Sequence, residues 1–130
     1  MRRKCAILAH SQKYNRAICI DTEQEDLLAL LLDNERYRKK TDYIFRRILE
    51  QPNVYFEDYK ILTRSTHGLI TEMRFFPNGD NCRVYCKEEE LGNNQHCIII
   101  AAYIEKKKSQ KINKNIWQII NKIKSYEYEL

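Results

Sequence analysis

The sequence predicts an α+β domain in which two N-terminal helices pack on one face of a small antiparallel sheet and a C-terminal helix follows. Three patterns predict this class: amphipathic helical segments within residues 22–50, strand-like segments within residues 59–104, and isoleucines at helical spacing after residue 112. With 130 residues, 43% of them hydrophobic, the chain is expected to form a single domain over residues 1–130. The sheet face opposite the helix pair is expected to be free for function.

The N-terminal segment predicts one strand followed by a helix. Two short apolar runs, Cys5–Ala9 and Ala17–Ile20, compete for the strand. Thr22 offers an N-cap hydroxyl and Glu25 follows three residues later, as in a capping box. A helix should therefore begin here and end near Leu32, and its nearly continuous leucines predict that it is well buried.

A second amphipathic helix is predicted over residues 34–50. Its apolar face consists of Tyr37, Thr41, Ile44, Phe45 and Ile48, and its arginines and lysines lie largely off that face. Pro52 should end it, because proline cannot continue a helix. A strand over Tyr59–Thr63 and a turn at His67-Gly68 then lead into the next element.

The strongest local signal is a β-hairpin within residues 69–87. Asn78-Gly79 predicts a two-residue type I′ turn, because both residues tolerate the positive φ that this turn requires. Such a turn sets Phe75 opposite Cys82 and fixes the remaining pairs. One face then consists of Met73, Phe75, Cys82 and Val84, and the other of Glu72, Arg74, Arg83 and Tyr85. The two arginines face each other across the strands and repel. This repulsion destabilises the sheet, so sheet stability does not explain why both are present.

The remaining segments complete the predicted domain. Polar residues 87–95 predict an exposed connection, and the apolar run Cys97–Ile104 predicts a central strand covered on both faces. After Ile112 a closing helix should pack its isoleucine stripe on the domain. The tail, residues 125–130, is expected to be either frayed or docked.

Positive charge is concentrated near the two ends of the chain. The net charge is +5; residues 1–20 hold five basic side chains and residues 106–124 hold seven lysines, and neither segment holds an acid. Such clusters favour an anionic partner. The five cysteines show no zinc-binding spacing and are expected to be mostly reduced core thiols. Since no signal peptide or membrane-spanning stretch is predicted, we expect a cytoplasmic protein without a membrane partner.

The sequence contains no phosphate-binding glycine loop, HExxH motif or nucleophile elbow. No metal or cofactor is expected, and the three histidines are interpreted as turn or surface residues: His10, His67 and His96. The lysines that follow the apolar strand should emerge at one end of the sheet near Arg83, although such runs are commonly solvated. There, arginine and lysine would hold a scissile RNA phosphate and stabilise its transition state. Glu72 or a tyrosine would take the 2′-hydroxyl proton, and Arg74 either acts in the site or pairs with Glu72 as structure.

The run HGLITEMRFFPNGDNCRVYC, the apolar strand after it, the KKKSQK segment and the final amphipathic helix resemble the RelE/HigB-type toxins of type II toxin–antitoxin systems. The resemblance is greatest to the phage-derived, HigB-like branch, and it covers residues 59 to about 124. The motifs that carry it are Gly68-Leu69, Arg74-Phe75, Arg83-Val84-Tyr85 and Lys107-Lys108-Ser109-Gln110-Lys111.

The resemblance implies a RelE-like fold and a metal-independent endonuclease that cleaves mRNA on the ribosome until a cognate antitoxin binds it. It implies that Arg83 contacts the scissile phosphate. The predicted catalytic set is Arg83, Glu72, Arg74 and Tyr85, and the predicted RNA-binding residues are Lys107, Lys108 and Lys111. The strand lysines that transfer protons in RelE would fall at Ile70 and Glu72. The general base therefore stays open among Glu72, Tyr85, Tyr103 and Tyr126.

Two other functions remain open at this stage. A ParE-like toxin would share the fold and inhibit DNA gyrase by binding it, and an inactive relative would only bind an antitoxin. Arg83 and the lysine-rich segment favour RNA cleavage over gyrase binding, whereas the missing strand lysines are what an inactive relative would show.

Overall fold

The computed structural model describes residues 2–65, 68–92, 94–104 and 114–130. These residues form a seven-stranded sheet and three helices, with the sheet order β3-β4-β5-β6-β2-β1-β7. The elements are β1 (Arg2–Ser11), β2 (Arg16–Asp21), α1 (Glu25–Asp33), α2 (Glu35–Glu50), β3 (Tyr59–Ser65), β4 (Gly68–Phe75), β5 (Cys82–Leu91), β6 (Gln95–Ile104), α3 (Lys114–Lys124) and β7 (Glu127–Glu129). None of the described helices is both long and apolar enough to cross a membrane.

The predicted small antiparallel sheet under two N-terminal helices is wrong. The sheet is mixed, because β2 pairs with β6 and β1 pairs with β7 in parallel. Both apolar runs that competed for the first strand form strands, so two strands precede the helices. The chain also covers both faces of the sheet: α1 and α2 pack on one, and α3 packs on the other. The face expected to be free is therefore occupied.

Apolar side chains fill the layers on both sides of the sheet. The layer under the helix pair includes Ile18, Leu27, Leu31, Ile44, Ile48, Met73, Phe75, Val84, Ile98 and Ile100. The opposite layer includes Ile70, Tyr85, Ile99, Ile116, Ile120 and Ile123. The predictions that β6 is covered on both faces and that the last helix packs its isoleucine stripe inward are confirmed. The tail docks through β7 on β1, and all five cysteines are buried and free of disulfides.

The hairpin has the predicted register but a different turn. Phe75 pairs with Cys82 and the predicted pairs follow along both strands. The turn residues do not take the type I′ conformation; the positive φ angles fall instead on Phe76 (53°) and Asn81 (56°). The amides of Gly79 and Asn81 both donate to the Phe76 carbonyl, at 2.9 and 2.8 Å. Proline at the second position and glycine at the fourth favour an ordinary turn over residues 76–79, which lengthens the loop without moving the strands.

Helix α2 has nearly the predicted bounds, and its first turn is capped by Asn34, whose side chain accepts from the Tyr37 amide. The predicted capping box of α1 is wrong. That helix begins after Gln24 without a side-chain cap, and the Thr22 hydroxyl instead donates to the Lys4 carbonyl. The Thr22 hydroxyl therefore bonds to β1 instead of capping the first turn of α1.

The predicted exposed connection over residues 87–95 is also wrong. Strand β5 continues to Leu91, and Lys87 and Glu88 are buried. Their charges have partners from elsewhere in the chain: the Lys87 ammonium donates to the Tyr126 carbonyl at 2.6 Å, and Glu88 accepts from tyrosines. These distant partners allow a polar run to form an interior strand.

Replacing Phe75 by alanine should lower the free energy of unfolding by about 3 kcal/mol or more. The ring is fully buried and stacks on Tyr37 of α2, with the centroids 5.6 Å apart. Chemical denaturation followed by circular dichroism measures the loss. The matched control is Leu32→Ala, since that side chain is 47% exposed and its loss should cost about 0.5 kcal/mol. Equal losses in the two variants would contradict the assigned core.

Candidate functional site

The hairpin brings the four predicted catalytic residues together. Glu72 and Arg74 lie on β4, and they pair with Tyr85 and Arg83 on β5. The side chain of Glu72 accepts a hydrogen bond from Arg74 Nε at 3.0 Å, and its Oε1 lies 3.5 Å from Arg83 Nε. The carboxylate between the two guanidinium groups offsets the repulsion that the opposed arginines imply.

This hairpin cluster is largely closed to solvent. Arg83 and Tyr85 are fully buried and Glu72 is 2% exposed, whereas the Arg74 side chain keeps 29% of its surface. Burial lowers the pKa of the Arg83 guanidinium, and the charge of Glu72 opposes that effect. Burial also raises the pKa of the Tyr85 phenol. Arg83 was expected on an open face, and this expectation is wrong because the α3 side of the sheet is covered. In this conformation Arg83 does not reach a phosphate in solvent.

The other predicted site residues are distributed differently. Lys107, Lys108 and Lys111 lie outside the described residues. Tyr103 pairs with Val84 and packs on the helix-pair side, away from the hairpin cluster. Tyr126 is buried beyond the end of α3. Of the four candidates for the general base, only Glu72 and Tyr85 therefore belong to the hairpin cluster.

The outer face of α2 carries most of the exposed charge of that helix. Its basic residues are Arg36, Arg38, Lys39, Lys40, Arg46 and Arg47, and its acidic residues are Glu35, Asp42 and Glu50. The inner face is held against the sheet by buried side chains such as Ile44 and Ile48. Amphipathic spacing therefore directs the cations outward.

Aromatic rings alternate with these cations. The guanidinium of Arg36 lies 3.6 Å from the ring centroid of Phe76, and that of Arg47 lies 4.7 Å from the centroid of Phe56. Tyr43 is 46% exposed and meets Phe56 edge to face. Phe76 holds a left-handed φ of 53°, which is unfavourable for a bulky residue, and its ring is fixed between Arg36 and Tyr37.

Two adjacent depressions form a shallow groove along α2, which we call the α2 groove. The first has a volume of about 600 Å³ and is lined by Glu35, Arg36, Lys39, Lys40, Tyr43 and Phe76. The second, of about 360 Å³, is lined by Lys39, Asp42, Tyr43, Arg46, Arg47, Glu50 and Gln51. Lys39 and Tyr43 belong to both, so the groove follows the helix for roughly 24 Å.

The cations at the N-terminal half of the α2 groove have carboxylate partners. Lys40 lies 2.8 Å from Asp58, and this pair is the least exposed, with side chains 24% and 13% accessible. Arg36 lies 2.8 Å from Asp80, and Lys39 lies 3.4 Å from Glu35, with all four side chains more than one-third exposed. Exposed ion pairs of this kind contribute only about 0–1 kcal/mol to stability. The arginines at the C-terminal half, Arg46 and Arg47, form no ion pair with a described residue.

The α2 groove was not predicted from the sequence as a functional surface. The basic residues of α2 were recognised as lying off the apolar face, and that pattern was the available signal. Phe56 and Phe76 reach the groove from two loops that only the tertiary structure brings beside the helix. Within the described residues, no group of three or more His, Cys, Asp or Glu side chains is arranged to hold a metal ion.

A second buried carboxylate lies on the helix-pair side of the sheet. Glu88 is 1% exposed and accepts hydrogen bonds from the hydroxyl groups of Tyr55, at 3.1 Å, and Tyr59. Its Oε1 also lies 2.7 Å from Nε2 of His96, whose side chain is 37% exposed. Burial and the adjacent negative charge raise the pKa of both phenols, so the two tyrosines stay protonated and donate.

Replacing Arg83 by alanine should lower the free energy of unfolding by about 3 kcal/mol or more, because Glu72 would keep its buried charge and lose a partner. Thermal or chemical unfolding measures the change. Arg74→Ala is the matched control: it removes the more exposed partner of the same carboxylate and should cost less than about 1 kcal/mol. An Arg83→Ala protein as stable as the wild type would show that the buried pair does not support the fold.

Searches of protein families, curated proteins and solved structures found no match to this chain. The resemblance of the hairpin segment to RelE/HigB-type toxins therefore rests on its sequence motifs alone.

Proposed function

We propose that this protein binds single-stranded RNA through the α2 groove. We further propose that it acts as the toxin of a type II toxin–antitoxin system, a cytoplasmic, metal-independent mRNA endonuclease that works on the ribosome and inhibits translation and growth. A cognate antitoxin would hold it inactive. The observation that supports RNA binding is the alternation of cations and aromatic rings along one exposed helix face.

The chemistry of the α2 groove matches both parts of a nucleotide. Arginine and lysine neutralise phosphates, and arginine does so with a directed pair of donors. An exposed ring such as Tyr43 offers a surface on which an unpaired base stacks. Bases inside a duplex are not available for such stacking, so the groove favours a single strand. Its length of roughly 24 Å suits a short segment of about four nucleotides or more.

The toxin and endonuclease parts of the proposal depend on the sequence motifs. Of the four residues predicted to act in catalysis, only Arg83 is assigned its role by the resemblance. Glu72, Arg74 and Arg83 form one ion-paired group, and Tyr85 is the register partner of Glu72. Arg74 is the member of this cluster that remains accessible to a phosphate.

A second candidate function is a catalytically inactive relative that binds an antitoxin. The burial of Arg83, Glu72 and Tyr85 favours it, because buried groups do not contact a substrate in this conformation. No feature of the α2 groove favours DNA gyrase as the target.

Removing two groove cations should weaken RNA binding. We expect the double variant Arg46→Ala/Arg47→Ala to bind a short fluorescent single-stranded RNA at least about tenfold more weakly. If each arginine neutralises one phosphate, the slope of log affinity against log salt should fall by about 1.4. Fluorescence anisotropy at several salt concentrations measures both quantities.

The matched control changes the net charge equally at a distance from α2. Lys4→Ala/Lys60→Ala removes two exposed cations from β1 and β3 and should change the affinity by less than about twofold. Equal losses in the two double variants would show that net charge, rather than the α2 groove, binds the RNA.

Primer extension on a defined message with purified ribosomes tests the endonuclease part. Position-specific cuts that require the ribosome would support the mRNA endonuclease. RNA binding without cuts would favour the inactive relative, and gyrase trapped on DNA would favour the ParE-like function instead.

A further inference from the structure

His96 forms a hydrogen bond with a buried carboxylate, as histidines that act as general bases commonly do. Nε2 of His96 lies 2.7 Å from Glu88, and Glu88 is fixed by two tyrosine hydroxyl groups. When Nε2 donates its proton to Glu88, the lone pair of the imidazole is on Nδ1. The side chain is 37% exposed, so a molecule at the surface is able to contact the ring. The negative charge of Glu88 would stabilise the imidazolium that results.

A cation suited to a phosphate lies in the same cross-strand row of the sheet as Glu88. Arg64 on β3 is exposed and forms no ion pair with a described residue. It pairs in register with Leu69 on β4, which pairs with Glu88 on β5, so Arg64 and Glu88 lie in one cross-strand row of the sheet. Arg16 pairs in register with His96, but its guanidinium donates hydrogen bonds to the carbonyls of Ile48 in α2 and of Gln51 and Pro52 after it. Compared with Arg16, Arg64 is therefore the better candidate to donate hydrogen bonds to a phosphate.

The same region adjoins the C-terminal end of the α2 groove. Arg16, which binds the carbonyls at the end of α2, is the register partner of His96 in the parallel pair of β2 and β6. On the other side, Phe56 lies under Arg47 of the groove and bridges to Tyr59, which donates to Glu88. A strand bound along α2 would thus be directed toward His96.

We propose that His96, positioned by Glu88, is the general base of an RNA-cleaving site in which Arg64 binds the scissile phosphate. This inference rests on the proposed RNA function and moves the chemistry away from the hairpin cluster, which is closed. His96 and Arg64 are the residues that would touch the substrate, and Glu88 acts through His96.

The reaction is an internal transesterification of RNA. Nδ1 of His96 takes the proton of a 2′-hydroxyl, and the 2′-oxygen forms a bond to the phosphorus. The bond from phosphorus to the 5′-oxygen breaks, and that oxygen takes a proton from water. The products are a 2′,3′-cyclic phosphate and a 5′-hydroxyl, and the imidazolium returns its proton to the hydroxide left by the water. Arg64 stabilises the additional negative charge on the phosphoryl oxygens in the transition state. A DNA strand, which lacks the 2′-hydroxyl, cannot react.

A purely structural role for His96 makes a different prediction. Its imidazole would then serve only as a third donor to Glu88, and any side chain that donates to that carboxylate would replace it. Glutamine at position 96 supplies an N–H donor but no base. The substitution His96→Gln therefore separates the two roles.

We expect His96→Gln to lower the rate of cleavage of ribosome-bound message by about a hundredfold or more. Its RNA affinity should stay within about twofold of the wild type, and its unfolding midpoint should be little changed. The control His10→Gln changes an exposed histidine on β1 and should leave cleavage unchanged. Arg64→Ala should also lower cleavage, whereas Lys60→Ala on the same strand should not. Added imidazole should partly restore cleavage by His96→Ala.

The outcomes separate this inference from the proposed function. A His96→Gln protein that cleaves as fast as the wild type would overturn the inference and leave the endonuclease intact. A wild-type protein that binds RNA without cleaving it would overturn the inference and retain RNA binding. If the folded wild-type protein neither binds nor cleaves RNA, the proposed function is wrong as well.

Discussion

The parallel pairing of β2 with β6 is the constraint on which the rest of the structure depends. All six residues of β2 are buried, and the strand lies between the hairpin partner β1 and the meander β3–β6. Two parallel strands cannot be joined by a tight turn, so the chain between them must leave the sheet and return. It does so through α1 and α2, which cover one face and present the outer side of α2 to solvent. The second face is closed by α3, and this closure buries the hairpin cluster.

Each face of the sheet holds a buried carboxylate, and their partners differ in a way that matters for chemistry. Glu72 lies between Arg74 and Arg83, and a guanidinium keeps its proton under all ordinary conditions. Glu88 accepts from two tyrosine hydroxyl groups and lies 2.7 Å from the imidazole Nε2 of His96. Burial of either charge is unfavourable unless partners compensate it. The first arrangement joins a buried carboxylate to two guanidinium groups, whereas the second joins one to a partly exposed imidazole.

The sequence predicts local features of this fold well and non-local ones poorly. The alternation of residues around Asn78 predicts the hairpin register, and the spacing of isoleucines predicts the buried face of α3, because both depend on neighbours along the chain. The parallel pairing of β2 with β6 joins strands about 80 residues apart, and no local pattern specifies it. For the same reason the charged run after Cys86 was interpreted as an exposed connection, although Tyr59 and Tyr126 supply its buried partners. The sequence indicates only part of the α2 groove. Its cations all belong to α2, whereas two of its aromatic rings come from loops that are distant from α2 or follow it in the sequence.

The motifs that resemble the toxin family have structural explanations in this fold. A Cβ atom at Gly68 would overlap the backbone carbonyl of Glu88, so the close approach of β4 and β5 requires glycine there. Phe75 and Val84 are core residues under the helix pair, and Arg83 is the buried partner of Glu72. A chain that folds this hairpin between two helical layers would need such residues whatever its function. Among the described residues, the outer face of α2, which lies outside the resembling segment, the half-exposed ring of His96 and the side chain of Arg74 are accessible to a ligand. These motifs are therefore explained by the fold of the hairpin without reference to a ligand.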